Sequence, residues 1–353
     1  MISSHLRSLP LFFLLACLLQ PLTSSNLPSG YLYVGYFATW EEKSTTTASK
    51  TLLANLPSYV NIVNLSFMKP DTSYSGGLDI SDCGFDFPYD GSVLQDAITA
   101  LKKKNPNTKI LVSVGGGTAS LTSWSSLNEA AIAQFVADFD LDGVDIDFEP
   151  SDPQCVFSGG TVSCQTDAQF LDIVTRFRAV LPSPNLLTIA ASGVGAYGQG
   201  DFVNSEPSWS GCGVTVNVLL STAGKTLDIV NIMSYDVDIP PYSPKEALRA
   251  FQSIFDGKIT LGLEIYPEAD GDHKLTIAEV DSLAASVLQR KAGGLMLWHL
   301  QKSPTGTISA SNPDADLVGK EICKKLDLDD CSGSLMGRLG FWSVLVLLVL
   351  YLW

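Results

Sequence analysis

Basic residues are scarce in this sequence: 22 Lys and Arg stand against 37 Asp and Glu in 353 residues, a net charge of −15. A phosphate backbone would be repelled, so nucleic-acid binding is excluded as the main function. Histidine is nearly absent, with only His5, His273 and His299, widely separated. Neither a histidine metal site nor a Ser-His-Asp triad can be assembled from them, and the cysteine spacings do not resemble a zinc site, so no metal and no cofactor are expected. The first strand-like segment is not followed by the Gly-rich turn of a dinucleotide fold. Charge is thin at 17% while apolar residues make up 46%, a composition that excludes disorder and demands a large core.

No apolar run at either end is long enough to cross a bilayer unaided. His5 and Arg7 precede nine apolar residues, 11–19, and Pro21, Thr23, Ser24 and Ser25 follow. This reads as a cleaved secretory leader over residues 1–25, since a span needs roughly 20 apolar residues. Residues 331–353 join Ser332, Gly333 and Ser334 to a six-residue spacer and a thirteen-residue apolar tail, 341–353. Small residues, spacer and tail resemble a glycosylphosphatidylinositol anchor signal, although the usual spacer is about 8–12 residues. A short membrane segment is the competing reading, but a helix of that length, rising about 1.5 Å per residue, falls short of a hydrocarbon core of about 30 Å. The expected product is a monomer on the secretory route, extracellular or held at the cell surface through its C-terminus. Losing Arg7 and Arg338 and no acid would take its charge to −17.

Six cysteines remain between those ends, and an even number in an exported chain points to disulfides. Short separations favour Cys155 with Cys164 and Cys323 with Cys331, leaving Cys83 with Cys212. One glycosylation sequon, Asn64-Leu65-Ser66, lies in a run that reads as a buried strand and is expected to stay unused.

Over 26–330, eight short apolar runs alternate with amphipathic stretches. Strands are predicted at 31–37, 62–67, 109–114, 143–148, 186–191, 229–233, 259–263 and 294–298. Helices are predicted at 93–104, 128–139, 167–181, 243–255 and 277–291, with another at 314–325. Regular alternation argues for a parallel sheet covered by helices, and eight strands in about 270 residues suit a single-domain α/β fold, the (β/α)8 TIM barrel. The open doubly wound sheet is the alternative.

Chemistry concentrates in the fourth strand, Asp142-Gly143-Val144-Asp145-Ile146-Asp147-Phe148-Glu149. Side chains alternate along a strand, so Asp145, Asp147 and Glu149 share the face that lines the barrel. Neighbours on that face lie roughly 6 to 7 Å apart, too close in a low-dielectric interior for all three to ionise. At least one acid should hold a proton at neutral pH, and Glu149, at the carboxyl end of the strand, is placed to donate it. A calcium site or a closed polar network is the alternative for the same triplet.

This octapeptide matches the D-x-x-D-x-D-x-E signature, and the chain resembles glycoside hydrolase family 18, the chitinases and related endo-β-N-acetylglucosaminidases. Ser113-Val114-Gly115-Gly116, Met233-Ser234-Tyr235-Asp236, Val34-Gly35-Tyr36-Phe37 and 294–298 resemble the family's motifs on the third, sixth, first and eighth strands. The resemblance runs over about 31–325. It implies that Glu149 is the general acid and then base, and that Asp147 holds the substrate's acetamido N–H, with Asp145 as the inner partner sharing its proton. It also implies that Tyr235 donates to the acetamido carbonyl with Asp236 beside it, that Trp298 floors the pocket, and that Tyr36 and Phe67 wall it. The acetamido oxygen then acts as the nucleophile, so the substrate must carry an N-acetyl group.

About 30 residues separate the last two strands, too few for the α+β insertion of many family members. An open groove is therefore expected, with Trp40, Trp124, Tyr197, Trp209 and Tyr266 as candidates for stacking on sugars or, equally, for packing the core. Two function classes stay open. One is a retaining hydrolase of β-1,4-linked N-acetylglucosamine, in chitin or in the core of N-glycans. The other is a non-catalytic chitin-binding lectin on the same fold.

Overall fold

The computed structural model describes residues 26–335 apart from 210, 238–241 and 268–272. The expected leader over 1–25 and the expected anchor tail over 341–353 lie outside the described residues. Strand β1 (Leu32–Ala38) leads through three single 3-10 turns to β2 (Ile62–Met68), α1 (Gly91–Lys104), β3 (Lys109–Gly115), the short α2 (Leu121–Ser125) and α3 (Glu129–Asp138). Then come β4 (Gly143–Asp147), a hairpin of β5 (Val156–Ser158) and β6 (Thr161–Ser163), α4 (Asp167–Val180), β7 (Leu186–Ser192) and α5 (Val216–Leu220). The circuit closes through β8 (Ile229–Met233), α6 (Pro244–Gln252), β9 (Lys258–Glu264), α7 (Ile277–Arg290), β10 (Gly294–Trp298) and α8 (Ala315–Lys325). Eight of the strands form a closed parallel barrel in the order β1-β10-β9-β8-β7-β4-β3-β2. The eight predicted strands are these eight, and the predicted single-domain (β/α)8 barrel is the fold.

Alternation decides which side chains fill the barrel and which meet the helices. Leu32, Val34 and Tyr36 of β1 point inward to join Ile62, Leu111, Leu186, Ile229 and Met296 in an interior cluster. From β4, Val144 and Ile146 face outward into the main core shared with Ile132 and Phe135 of α3 and with Ile173 and Phe177 of α4. Asp145 and Asp147 are thereby forced inward. Helix α7 shows how the outer layer is specified: the Thr276 hydroxyl accepts from the Glu279 N–H at 3.2 Å as an N-cap. The helix then buries Val280, Leu283, Ala284 and Val287, one stripe at helical spacing.

Two of the expected disulfides are formed. Cys155–Cys164 clips the base of the β5–β6 hairpin, and Cys323–Cys331 ties the end of α8 to the segment beyond it. The third expectation is corrected, because Cys83 and Cys212 are both free and buried. Cys83 lies in the connection after β2 and Cys212 in the one after β7, with β3 and β4 between those strands in the ring. Each thiol is satisfied locally, Cys83 Sγ donating to Asp79 O and Cys212 Sγ to Pro207 O. The sequon asparagine, Asn64, is fully buried in β2, which places it out of reach in the folded chain.

Candidate active site

The carboxyl ends of the barrel strands meet above a polar layer built around Asp145. Its carboxylate is fully buried and accepts four hydrogen bonds: from Tyr36 Oη and Ser113 Oγ, each at 2.8 Å, from Asn231 Nδ2 at 3.2 Å, and from Thr188 Oγ1. Thr260 Oγ1 donates in turn to Asn231 Oδ1 at 2.7 Å, which fixes the amide with its N–H toward Asp145. Burial raises the Asp145 pKa while the four donors pull it down. Hydrogen bonds to a charged group are worth about 1.5–3 kcal/mol each. Four of them are on the scale of the several kcal/mol that burying a carboxylate costs, so they offset most of the burial, and the Asp145 pKa stays raised on balance. With its lone pairs occupied by protein donors, it has none to offer an ion, which argues against the calcium reading.

One step up the strand the balance reverses. Asp147 is buried with no hydroxyl or amide donor on its Oδ1, and its carboxyl is in hydrogen-bond contact with Glu149. Burial, then the charges of Glu149 and Asp145, push the Asp147 pKa well above the carboxylate range. Glu149 is also raised, by burial and by Asp236, while its hydrogen bond to Asp147 holds it down. Two carboxylates about 4 Å apart repel by about 4 kcal/mol even at an effective dielectric constant of 20, so the pair retains one proton. The hydrogen bond of Asp147 runs to Glu149, while the charge of Asp145 also acts on it from below.

A consequence for stability follows from the sign of these shifts. The folded pair holds its proton at a pH where the unfolded carboxyls, titrating near roughly 4, have lost theirs. That contribution is complete below the unfolded value and declines as pH rises through the raised folded values. Thermal unfolding measured from pH 4 to pH 8 should show the decline, and Asp147→Asn should flatten it. A variant with the wild-type slope would place the coupled proton elsewhere.

An aromatic cluster faces these acids. Trp298, at the end of β10, stacks on Phe67 at 5.6 Å and meets Tyr36 edge-on at 5.6 Å, with Trp40 6.2 Å away. Trp40 is 44% exposed at the rim. Tyr235 follows β8, and burial, then the charge of Glu264, raises its pKa so that its hydroxyl stays a donor. That hydroxyl rests on Met296 Sδ at 3.8 Å, a weak acceptor that a carbonyl oxygen would displace. Gly115 and Gly116, at positive φ of 111° and 84°, let the end of β3 turn closely around the site. A Cβ on Gly115 would lie 2.2 Å from Asp147 O, and one on Gly116 would lie 2.9 Å from the Phe67 ring.

With this geometry in place, comparison with known proteins is decisive. The sequence profile of the glycosyl hydrolases family 18 matches residues 32–247, more than half of the chain. The chain belongs to glycosyl hydrolase family 18. Within that family it is similar to a chitinase of Plasmodium falciparum, 29% identical over 172 residues, 46% of this chain and 43% of that one. It is likewise similar to endochitinase 1 of Metarhizium robertsii, 28% identical over 226 residues, 59% of this chain and 48% of that one. The match thus spans less than half the length of these curated relatives. The barrel also resembles a crystallised GH18 chitinase from Pseudoalteromonas aurantia, with a TM-score of 0.56 at 20% identity over 83% of this chain and 99% of that one, a likeness of fold.

Placed on the family 18 barrel, the sequence candidates divide. Asp145, Asp147, Glu149, Tyr36, Tyr235, Phe67, Trp298 and Trp40 come together at the mouth, and Asp236 is close enough for its charge to act on Glu149. Trp124 is corrected: it is 2% exposed, packed edge-on against Phe148 at 5.5 Å in the outer core, and has no face to offer a sugar. Tyr197 is buried as well. Sequence reading missed Thr188, Asn231 and Thr260, and also Glu264, a buried carboxylate at the inward end of β9 that pairs with Lys302. The available signal was strand parity, since each is a polar residue at an inward position of an otherwise apolar strand.

Proposed function

We propose that this protein is a retaining glycosidase that cleaves β-1,4-linked N-acetylglucosamine, with chitin as its substrate and the substrate's own acetamido group as nucleophile. The observation that carries this reading is the buried, hydrogen-bonded Asp147–Glu149 carboxyl pair, both members pushed above the usual carboxylate range, beside an aromatic platform. Glu149, at the outer end of the row, delivers a proton to the glycosidic oxygen and afterwards draws one from water. Asp147, once that proton has moved, faces the acetamido N–H and balances the positive oxazolinium ion. Tyr235 donates to the acetamido carbonyl and aims its oxygen at the anomeric carbon. Asp145 lies beneath, held in place by its four donors. Trp298, Tyr36 and Phe67 shape the sugar's bed, with Trp40 at its rim.

A lectin on this barrel would have no use for a proton-sharing carboxyl pair, so the intact Asp147–Glu149 pair favours catalysis. The charge and shape of the site accept N-acetylglucosamine from chitin or from an N-glycan core. The expected result with chitin oligomers is release of short N-acetylglucosamine oligomers, and with a high-mannose glycoprotein little glycan release. Glycan release alone would move the substrate to N-glycans, and binding without any released sugar would favour the lectin. The same proposal takes 1–25 as an export leader, 26–330 as the catalytic domain and 331–353 as a signal for a lipid anchor. In a eukaryotic cell, phosphatidylinositol-specific phospholipase C should release the enzyme from the surface. Retention with an intact Trp353 in the mass spectrum would favour a membrane segment instead.

A further inference from the structure

Next to the aromatic platform lies a polar groove of about 1180 Å³ that the chemistry above leaves unused. It is lined by His299, which follows Trp298 directly and meets Trp40 edge-on at 6.1 Å. Its charge runs against that of the chain. In a protein of net charge −15, three lysines line the groove, Lys43, Lys50 and Lys302, against one acid, Glu41, among the described residues. Lys302 is committed to Glu264. Lys43 and Lys50, both exposed in the connection between β1 and β2, have no partner for their ammonium groups among the described residues. Two cations left unpaired in so acidic a chain are set to receive an anion.

A second feature points the same way. His299 is 6% exposed, and its Nδ1 is buried without a hydrogen-bond partner among the described residues. Burial, then the charge of Lys302, lowers its pKa to about 4, so the ring is neutral and can carry its one hydrogen on that idle nitrogen. A buried donor with nothing to bind costs free energy that an acceptor oxygen would return.

The end of the described chain says which anion is at hand. Ser332, Gly333 and Ser334 line the same groove. They are fixed there, because Tyr59 Oη donates to Gly333 O at 3.4 Å and the Leu335 N–H donates to Asp316 Oδ1 at 2.8 Å, with the Leu335 side chain buried in the main core. The apolar run over 341–353 begins six residues later, a reach of about 20 Å for an extended chain. Whether that tail is exchanged for a lipid anchor at 332–334 or kept as a membrane segment, it brings a bilayer surface within reach of the groove.

We propose that the groove seats the phosphate of an anionic phospholipid headgroup, with Lys43 and Lys50 as its charged partners and His299 Nδ1 as a donor from the wall. This seat also orients the enzyme. The ends of β1 and β10, from which the groove's walls continue, turn toward the bilayer, while β4 lies four places round the ring from β10 and carries the acids on the far side of the mouth. The inference rests on the membrane-attachment reading above and adds to it a site and an orientation.

The test is lysine footprinting of the full chain reconstituted in vesicles, with acetic anhydride as the reagent and mass spectrometry reading each amine. Vesicles of phosphatidylcholine alone are compared with vesicles in which about a fifth of the lipid is phosphatidylinositol. Acetylation of Lys43 and Lys50 should slow about 5-fold in the anionic vesicles, the size of one lysine–headgroup attraction. Lys225, exposed just ahead of β8 and so at the opposite end of the barrel, should keep its rate. In Lys50→Gln the protection of Lys43 should drop below about 2-fold, because the headgroup has lost one of its two ammonium partners. Protection of Lys43 that survives Lys50→Gln would mean a general approach of the surface and overturn the shared seat. Equal protection by inorganic phosphate over phosphatidylcholine would assign the groove to free phosphate and overturn the headgroup, and no protection under any condition would overturn the site itself. Full-length protein that fails to associate with either vesicle would overturn the membrane reading and take the seat with it.

Discussion

Replacing Glu149 with Gln should lower turnover of an unactivated chitin oligomer by at least about 100-fold while leaving binding largely intact. Gln fills the same space and can still accept a hydrogen bond from Asp147, but it cannot deliver a proton to the glycosidic oxygen. The loss should appear in kcat, because the missing interaction exists only in the transition state. It should shrink on a substrate whose leaving group departs as a stable anion, which needs no proton. Near wild-type kcat on the oligomer would mean that another group supplies the acid.

The second large effect belongs to Asp147. Its carboxyl is hydrogen-bonded to Glu149 and pushed well above the carboxylate range, and the proposed reaction requires it to become the anion that faces the acetamido group. Asp147→Asn keeps the size but removes the charge that balances the oxazolinium ion. Loss of one such stabilising group in other active sites costs about 100- to 1,000-fold in kcat, and the same range is expected here. Unlike Glu149→Gln, this variant should also lose affinity for chitobiose thiazoline, a cyclic mimic of the intermediate, because the mimic depends on the same carboxylate. Undiminished inhibition by the thiazoline in Asp147→Asn would separate Asp147 from the intermediate.

Much of this was legible in the sequence because barrel strands obey a period of two and their apolar faces are long. The alternation of Asp145, Asp147 and Glu149 with Val144, Ile146 and Phe148 reads directly as acids inward and core outward, and the structure places Asp145 and Asp147 inward on β4. What escaped depended on distance through space. Trp124 and Trp209 are both indoles among small polar neighbours, and nothing local says that Phe148 covers one while the other stays open. Cys83 and Cys212 complete an even count, yet strand order around the ring holds them apart. The β5–β6 hairpin has strands of three residues, too short for any periodic signal. The surroundings of the acids escaped for a different reason: spacing along the fourth strand shows that three acids are neighbours, but the donors that surround Asp145 come from β1, β3, β7 and β8.

The central claim is that the nucleophile is the substrate's acetamido oxygen rather than an enzyme carboxylate. Retaining enzymes with a carboxylate nucleophile place two carboxyls about 5 to 5.5 Å apart, flanking the bond. Asp147 at the end of β4 and Glu149 two residues beyond it are instead in hydrogen-bond contact with each other. The most direct measurement is kcat/KM for a series of matched aryl chitobiosides whose reacting sugar carries an acetyl, fluoroacetyl, difluoroacetyl or trifluoroacetyl amide. Each fluorine withdraws electrons from the carbonyl oxygen without touching the protein. Substrate assistance predicts a steep fall in rate with every fluorine added, and a rate indifferent to fluorination would contradict it.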